Sequence, residues 1–257
     1  MYEELNKYVR GEKKINLFSS YKIMSMVQHF ILDEIRNMGF SEPKYKLHCV
    51  IKDNRGYDTD TLGEKILKDK KIIININRRL IDDLDTMATS KDVEEFDKEN
   101  KEHFTRIDLF LVMFHELEHV HQAKMYETNT VDNMILYKDK VLSMYFNHIK
   151  DDDAYYSENY KVTSEEVLAN IKAIEKTIKY FTKNNIEFTK KELEILKLKM
   201  NKYKTLLNNK QRKNPIDGKM YDLDYLYNMV LQDQTYEIGN LSEDEKRRLI
   251  WIKKDLP

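Results

Sequence analysis

Residues 109–122, LFLVMFHELEHVHQ, place six apolar residues directly before three histidines and two glutamates. A helix that is apolar on every side is typical of a protein core. Burying unpaired carboxylates and imidazoles costs several kcal/mol, so a chain that takes them into its core must supply partners for them. The stretch therefore predicts a buried helix over about 106–125 that carries a polar site, with Thr105 and Asp108 forming its N-terminal capping box.

The spacing of the ionisable residues favours a metal as that partner. His115 and His119 are four residues apart and share one helix face, where both imidazoles can bind a single tetrahedral zinc ion. Glu116 lies about 100° round the helix and can act as general base on a zinc-bound water. This His-Glu-x-x-His pattern is typical of zinc metallopeptidases. The alternative is an exposed helix end on which these side chains are simply solvated.

Catalytic zinc sites use three protein ligands and one open position. His121 is a poor third ligand, because it points about 200° away from His119. Glu166 is the better candidate, since it lies one turn before Asn170 near the start of a helix that Thr163 or Ser164 can cap. Asn170 is then placed to hydrogen-bond a ligating histidine. Glu165 and Glu158 are alternative ligands, and Glu165 and Glu166 are also simply favourable acids for a first helical turn.

His115-Glu116-Leu117-Glu118-His119, followed downstream by Glu166-Val167-Leu168-Ala169-Asn170, resembles the gluzincin group of metallopeptidases. Among them it is most similar to the ImmA/IrrE-like and phage or mobile-element proteins, over about 65 residues from Ile107 to Asn170. The resemblance implies Zn²⁺ as cofactor, a glutamate on a later helix as third ligand, and a small sheet whose edge strand lines the cleft. We expect the strand near 71–77 to be that edge, where an extended protein or peptide substrate adds as a further strand.

Peptide hydrolysis also needs a hydrogen-bond donor for the developing oxyanion. Tyr156 and Tyr160 are the candidate donors, with Tyr155 and His148 as alternatives nearby in the sequence. Tyrosine is abundant in this chain, with 17 residues. Each of these side chains is therefore also explained by packing.

The fold class that these patterns predict is α+β and mostly helical, with a small sheet, the active-site helix and a helical C-terminal part. The resemblance implies that the small sheet is zincin-like. The chain has 6 glycines and 3 prolines among 257 residues, which favours helices over tight turns. Predicted elements are a helix over 15–38 ending at Gly39, strands over 45–52 and 72–77, and a last helix over 222–231. A heptad-like helical hairpin is also predicted, with apolar seams that include Ile178 and Leu193 and with a capping box over 189–192 at the start of its second helix. We expect a metallopeptidase domain over 1–182 and a helical extension packed on it over 183–257.

Composition limits the other functions. With a net charge of −1, the chain has no overall attraction to nucleic acid. Residues 171–214 nevertheless carry thirteen lysines and arginines against four acids, so the hairpin could bind an anionic partner or nucleic acid as an alternative function. Residues 82–102, with nine acids and three lysines, predict an exposed loop.

The location of the protein follows from what the sequence lacks. No apolar run approaches the roughly 20 residues of a membrane span, and the N-terminus has no secretory signal. The single cysteine, Cys49, fits a reducing compartment. We therefore expect a cytoplasmic zinc metallopeptidase of narrow specificity, or a catalytically inactive scaffold on the same fold.

Overall fold

The structure is a computed structural model, and it describes residues 2–14, 17–41, 44–52, 63–68, 70–82, 106–128, 133–150 and 154–232. Within these ranges the chain is mostly helical and has a small three-stranded sheet and a two-stranded hairpin. The α+β, mostly helical fold class is thereby confirmed. The predicted acidic loop and the predicted cap at Thr105 lie outside the described residues, apart from Asp82.

The helices and strands follow in chain order. The helices are α1 (Tyr2–Val9), α2 (Leu17–Asn37), α3 (Arg79–Asp82), α4 (Arg106–Thr128), α5 (Met134–Ile149), α6 (Ala154–Asn159), α7 (Ser164–Lys183), α8 (Lys190–Asn208) and α9 (Leu223–Gln232). A 3-10 turn, Tyr160–Val162, separates α6 from α7. The strands are β1 (Lys46–Lys52), β2 (Gly63–Lys68), β3 (Lys71–Asn77), β4 (Gln211–Lys213) and β5 (Met220–Asp222).

The chain divides into two compact units, which are made from interleaved stretches. The first contains 1–124 and 168–204, and the second contains 125–167 and 205–257. The division falls inside α4 and inside α7, each of which is one continuous helix. The expected domain boundary near 182 stays a prediction, because the second unit includes residues that the structure does not describe.

In the first unit, the sheet has the order β1-β3-β2, with β1 parallel and β2 antiparallel to β3. Ile72, Ile74 and Ile76 of β3 are fully buried, as expected for the central strand. The expectation that 71–77 forms the edge strand is therefore wrong. β2 was not predicted, because its sequence, GEKILK, does not alternate apolar and polar residues, yet it pairs along the whole of β3 and leaves β3 no free edge.

Helix α2 ends as its sequence predicts. Gly39 adopts a positive φ of 87°, which a residue without a Cβ reaches at no steric cost. The Phe40 amide then bonds to the Ile35 carbonyl at 3.3 Å, and the Gly39 amide bonds to the Arg36 carbonyl at 2.9 Å. These two bonds form a Schellman motif, which satisfies the last carbonyls of the helix.

Aromatic packing joins α2, α4 and α7 in the first unit. Phe110 of α4 lies 5.1 Å from Phe181 and 4.9 Å from Tyr180 of α7, and Phe30 of α2 lies 5.8 Å from Phe114. Such ring pairs contribute about 0.5–1.5 kcal/mol each beyond their buried area. The apolar half of the opening stretch is therefore buried, as predicted, and it holds α4 against α7.

The helical hairpin is confirmed as two helices, but its predicted apolar seams are only partly buried. Ile178 is 39% exposed and Leu193 is 50% exposed. Ala173 and Thr177 are buried on α7, so the buried face is shifted round the helix from Ile178. The capping box at Thr189 is confirmed by the reciprocal bonds of 2.8 and 3.2 Å that it makes with Glu192.

A buried ion pair anchors the start of α4 in the first unit. Arg106 binds both carboxylate oxygens of Glu192, at 2.7 and 2.9 Å, and both side chains are less than a tenth exposed. The same guanidinium donates to the carbonyls of Val9 and Glu187. Removing one partner of such a buried pair costs about 3–5 kcal/mol.

The second unit has its own apolar core, formed by α5, α6 and α9. The predicted last helix is confirmed over Leu223–Gln232, whereas the tail with Trp251 lies outside the described residues. The buried apolar side chains of this core are Val141, Leu142, Tyr145, Phe146, Tyr155, Leu223, Leu226, Tyr227 and Val230. Within the described ranges, no helix combines the length and apolar character that a bilayer crossing requires.

Candidate metal centre

The three predicted metal ligands lie together. One ligand atom from each of His115, His119 and Glu166 lies within 4.8 Å of the other two. The histidines are on α4, and Glu166 is in the first turn of α7. Residues from two helices that are far apart in sequence therefore supply one cluster.

The two imidazoles already have a geometry close to that of metal ligands. The Nε2 atoms of His115 and His119 are 3.0 Å apart, and the ring planes are at 88°. Bonds of about 2.0–2.1 Å at a tetrahedral angle separate two ligand nitrogens by about 3.3–3.4 Å. The cluster therefore fits one zinc ion after side-chain shifts of about 1 Å.

Gln122 is a partner of the site that sequence reasoning missed. Its Oε1 lies 2.9 Å from Nδ1 of His119, and the side chain is 1% exposed. When Nδ1 of His119 carries a proton, it can donate it to Oε1 of Gln122. The lone pair of Nε2 is then available to a metal. The signal was available, because Gln122 stands three residues after His119 on the same helix face. The predicted role of Asn170 as such a partner stays a prediction.

Glu116 lies in a confined position against the sheet. It is 6% exposed, and Gly63 at the start of β2 approaches it closely. A Cβ on residue 63 would lie 2.7 Å from Oε1 and 2.9 Å from Cγ of Glu116, and 2.6 Å from Cγ1 of Val112. The absence of a side chain at Gly63 therefore makes room for the carboxylate of Glu116.

Tyr156 binds the third predicted ligand directly. Its hydroxyl donates to Oε1 of Glu166 at 2.5 Å, and its ring packs edge-on against Tyr160 at 5.1 Å. Burial, and then the negative charge of Glu166, raise the pKa of the Tyr156 phenol well above its usual range, so it remains a donor. Tyr160 is 47% exposed. The oxyanion roles of both tyrosines stay predictions.

The alternative ligands have other positions. Nδ1 of His121 lies 3.2 Å from Glu118, as expected for a side chain that points away from the cluster. Glu158 binds Lys213 at 2.6 Å. Neither these two residues nor Glu165 belongs to a metal-ligating group among the residues described. The side chain of His148 is outside the described part of the chain.

A salt bridge holds α4 and α7 together beside the cluster. Glu118, one residue before His119, is 6% exposed and accepts a bond of 2.6 Å from Lys176 of α7. A charge-assisted bond of this kind is stronger than a neutral hydrogen bond, and its burial reduces screening by salt. The pair therefore restrains the helix that bears the histidines relative to α7.

No protein-family model matches the chain, and no curated protein or solved structure matches it either. The site is therefore defined by its own geometry. Two imidazoles and a carboxylate are the donor set of a catalytic zinc site. Glu116 and Glu166 are both less than a tenth exposed, and a divalent cation offsets the cost of burying such carboxylates.

Proposed function

We propose that this protein is a zinc-dependent metallopeptidase with a zincin-like arrangement of the sheet and α4. The observation that carries the proposal is the convergence of His115, His119 and Glu166, whose ligand atoms lie within 4.8 Å of one another. The presence of Glu116 beside the first histidine supports hydrolysis rather than a purely structural site, because closed structural sites need no buried base.

In the proposed reaction, the zinc ion and the side chains of the protein have different roles. Bound zinc supplies Lewis acidity, which makes a water molecule acidic enough to be deprotonated near neutral pH. His115, His119 and Glu166 hold the ion, and Gln122 orients the ring of His119. The carboxylate of Glu116 accepts the proton of the attacking water and later donates it to the leaving amine. Gly63 of β2 lies against that carboxylate and limits its movement.

The proposed substrate is a protein or peptide in extended conformation. Among the described residues β2 is an outer strand of the sheet, and its first residue contacts Glu116. A strand added to this edge brings its backbone next to the base, and main-chain hydrogen bonds supply the affinity. We propose a narrow specificity and action in the cytoplasm, where the buried thiol of Cys49, whose pKa burial raises to about 12, stays reduced.

The structure gives less support to the alternative function of the basic hairpin. Several of its cations bind acids of the chain, among them Lys176 to Glu118, Lys213 to Glu158, and the buried Arg212 to Asp139. Fewer cations are therefore available to phosphates than the sequence suggests.

The proposed function is tested with the variant Glu116→Gln. We expect the variant to bind zinc as the wild type does and to lose cleavage of a fluorescence-quenched peptide library, because an amide cannot accept the proton. Addition of a chelator should abolish wild-type cleavage, and zinc should restore it. If the variant cleaves at the wild-type rate, the assignment of Glu116 is wrong; if the zinc-loaded wild type cleaves nothing, the inactive-scaffold interpretation replaces the proposal.

A further inference from the structure

A buried carboxylate in the second unit accepts four hydrogen bonds. Asp139 of α5 is 4% exposed, and Arg212 of β4 is 1% exposed. The guanidinium donates to both oxygens of Asp139 at 2.8 Å each. The Tyr155 hydroxyl donates at 2.6 Å, and the Ser164 backbone amide donates at 2.8 Å. Four donors satisfy most of the acceptor capacity of a carboxylate.

Two of these donors belong to the elements that hold Glu166. Ser164 is the first residue of α7, and Glu166 is the third. Tyr155 precedes Tyr156, whose hydroxyl binds Glu166. Asp139 therefore fixes the start of α7, which carries Glu166. It also fixes α6, which carries Tyr156.

The start of α7 receives support from outside the helix, because Asp139 of α5 accepts a hydrogen bond from the Ser164 amide. The hydroxyl of Thr163 donates to the Tyr160 carbonyl, and the Ser164 Oγ is buried without a hydrogen-bond partner among the described residues. Ser164 therefore does not cap the helix, and a cap by Thr163 stays a prediction. Asp139 instead satisfies a free amide of the first turn from a different helix, and its negative charge is favourable at the positive end of the helix dipole.

We propose that Asp139 is a positioning residue for Glu166 and acts through the amide of Ser164 and the hydroxyl of Tyr155. Arg212 neutralises its charge and fixes its orientation with a planar, two-bond contact. The proposal rests on the proposed metal centre and adds to it a group that contacts neither the metal nor the substrate. A ligand supported in this way keeps its orientation, and the loss of such outer support weakens metal binding.

The test measures zinc affinity by calorimetric titration of the full chain with Zn²⁺, for Asp139→Asn alone and together with Glu166→Ala. We expect Asp139→Asn to weaken zinc binding about tenfold. Mutating a hydrogen-bond partner of a metal ligand typically weakens metal binding by about 10–100-fold, and Asp139 acts through other groups, so the lower value is expected. In the Glu166→Ala variant, Asp139→Asn should change the zinc affinity little, because the carboxylate that Asp139 positions is absent. An equal loss in both backgrounds, or no loss in either, would overturn the proposal, since a merely structural role acts on both alike.

A milder variant and a matched control complete the test. Tyr155→Phe removes one hydrogen-bond donor to Asp139 but leaves the Asp139–Arg212 ion pair intact, so this variant should fold. Its loss of zinc affinity should be smaller than that of Asp139→Asn and should also occur only when Glu166 is present. Glu192→Gln breaks the comparable Arg106–Glu192 pair in the first unit and should lower the unfolding midpoint without changing zinc affinity. If wild type binds no zinc, both this inference and the proposed function fail; if it binds zinc but the effects are additive, only this inference fails.

Discussion

Replacing Gly63 by alanine should lower the rate of peptide cleavage without changing the zinc content. The new Cβ would lie 2.6 Å from Cγ1 of Val112 and 2.7 Å from Oε1 of Glu116. Ordinary contacts are about 3.5–4.0 Å, so the neighbours must move by about 0.8–1.4 Å. Val112 is β-branched and stiff in a helix, so the end of the Glu116 side chain is expected to move.

The expected magnitude follows from that displacement. A misplacement of about 1 Å in a reacting group can lower the rate about 10²-fold, and overpacking costs about 1–3 kcal/mol of stability. We therefore expect kcat/KM for peptide cleavage to fall about 100-fold, with zinc content unchanged because Glu116 is not a ligand. Ile66→Ala on the same strand is the control, since this side chain is 37% exposed.

The assay compares cleavage rate, zinc stoichiometry and urea unfolding for the wild type and both variants. Gly63→Ala with wild-type cleavage and an unchanged unfolding midpoint would refute the close approach of β2 to Glu116. A loss of zinc together with activity would show instead that the substitution disrupts the whole site and not the base alone.

Three further predictions concern the surroundings of the site. Gln122→Leu removes the partner of His119 Nδ1 and should weaken zinc binding about 10–100-fold in a chelator competition assay; unchanged affinity would exclude this role. Tyr156→Phe removes the bond to Glu166 and should also weaken zinc binding, whereas a fall in kcat alone would instead support the oxyanion role. Burial raises the pKa of the Tyr155 and Tyr156 phenols above the unfolded value of about 10, so the folded state retains protons that the unfolded state loses. Their contribution to stability should be complete below about pH 10 and decline as the pH rises further, and a urea midpoint that increases between about pH 9 and 11 would contradict this sign.

Local patterns in the sequence predicted the local structure well. Gly39 marks the end of α2, the Thr189 box marks the start of α8, and the alternation of Ile72, Ile74 and Ile76 marks a strand. Each of these signals acts within a few residues, where propensity and capping determine the backbone. The same holds for His115 and His119, whose common face follows from helix geometry alone.

Features that depend on distant pairing could not be predicted in this way. β2 has no alternating pattern, and its position beside β3 is set by pairing and by the absence of a side chain at Gly63. The bonds of Asp139 to Ser164 and Arg212 join residues 25 and 73 positions apart, and periodicity carries no information about such contacts. The position of Glu166 near the two histidines was predicted because a catalytic zinc site needs a third ligand and because the start of the helix that carries Glu166 was recognisable.

The central claim is tested most directly by X-ray absorption spectroscopy of the zinc-loaded protein, combined with its zinc stoichiometry. We expect one zinc ion per chain, with two imidazole nitrogens at about 2.0–2.1 Å and a carboxylate oxygen in the first coordination shell. The imidazole contribution should fall in His115→Ala, and the carboxylate contribution should be lost in Glu166→Ala. A chain that binds no zinc, or a coordination shell that stays the same in Glu166→Ala, would contradict the account.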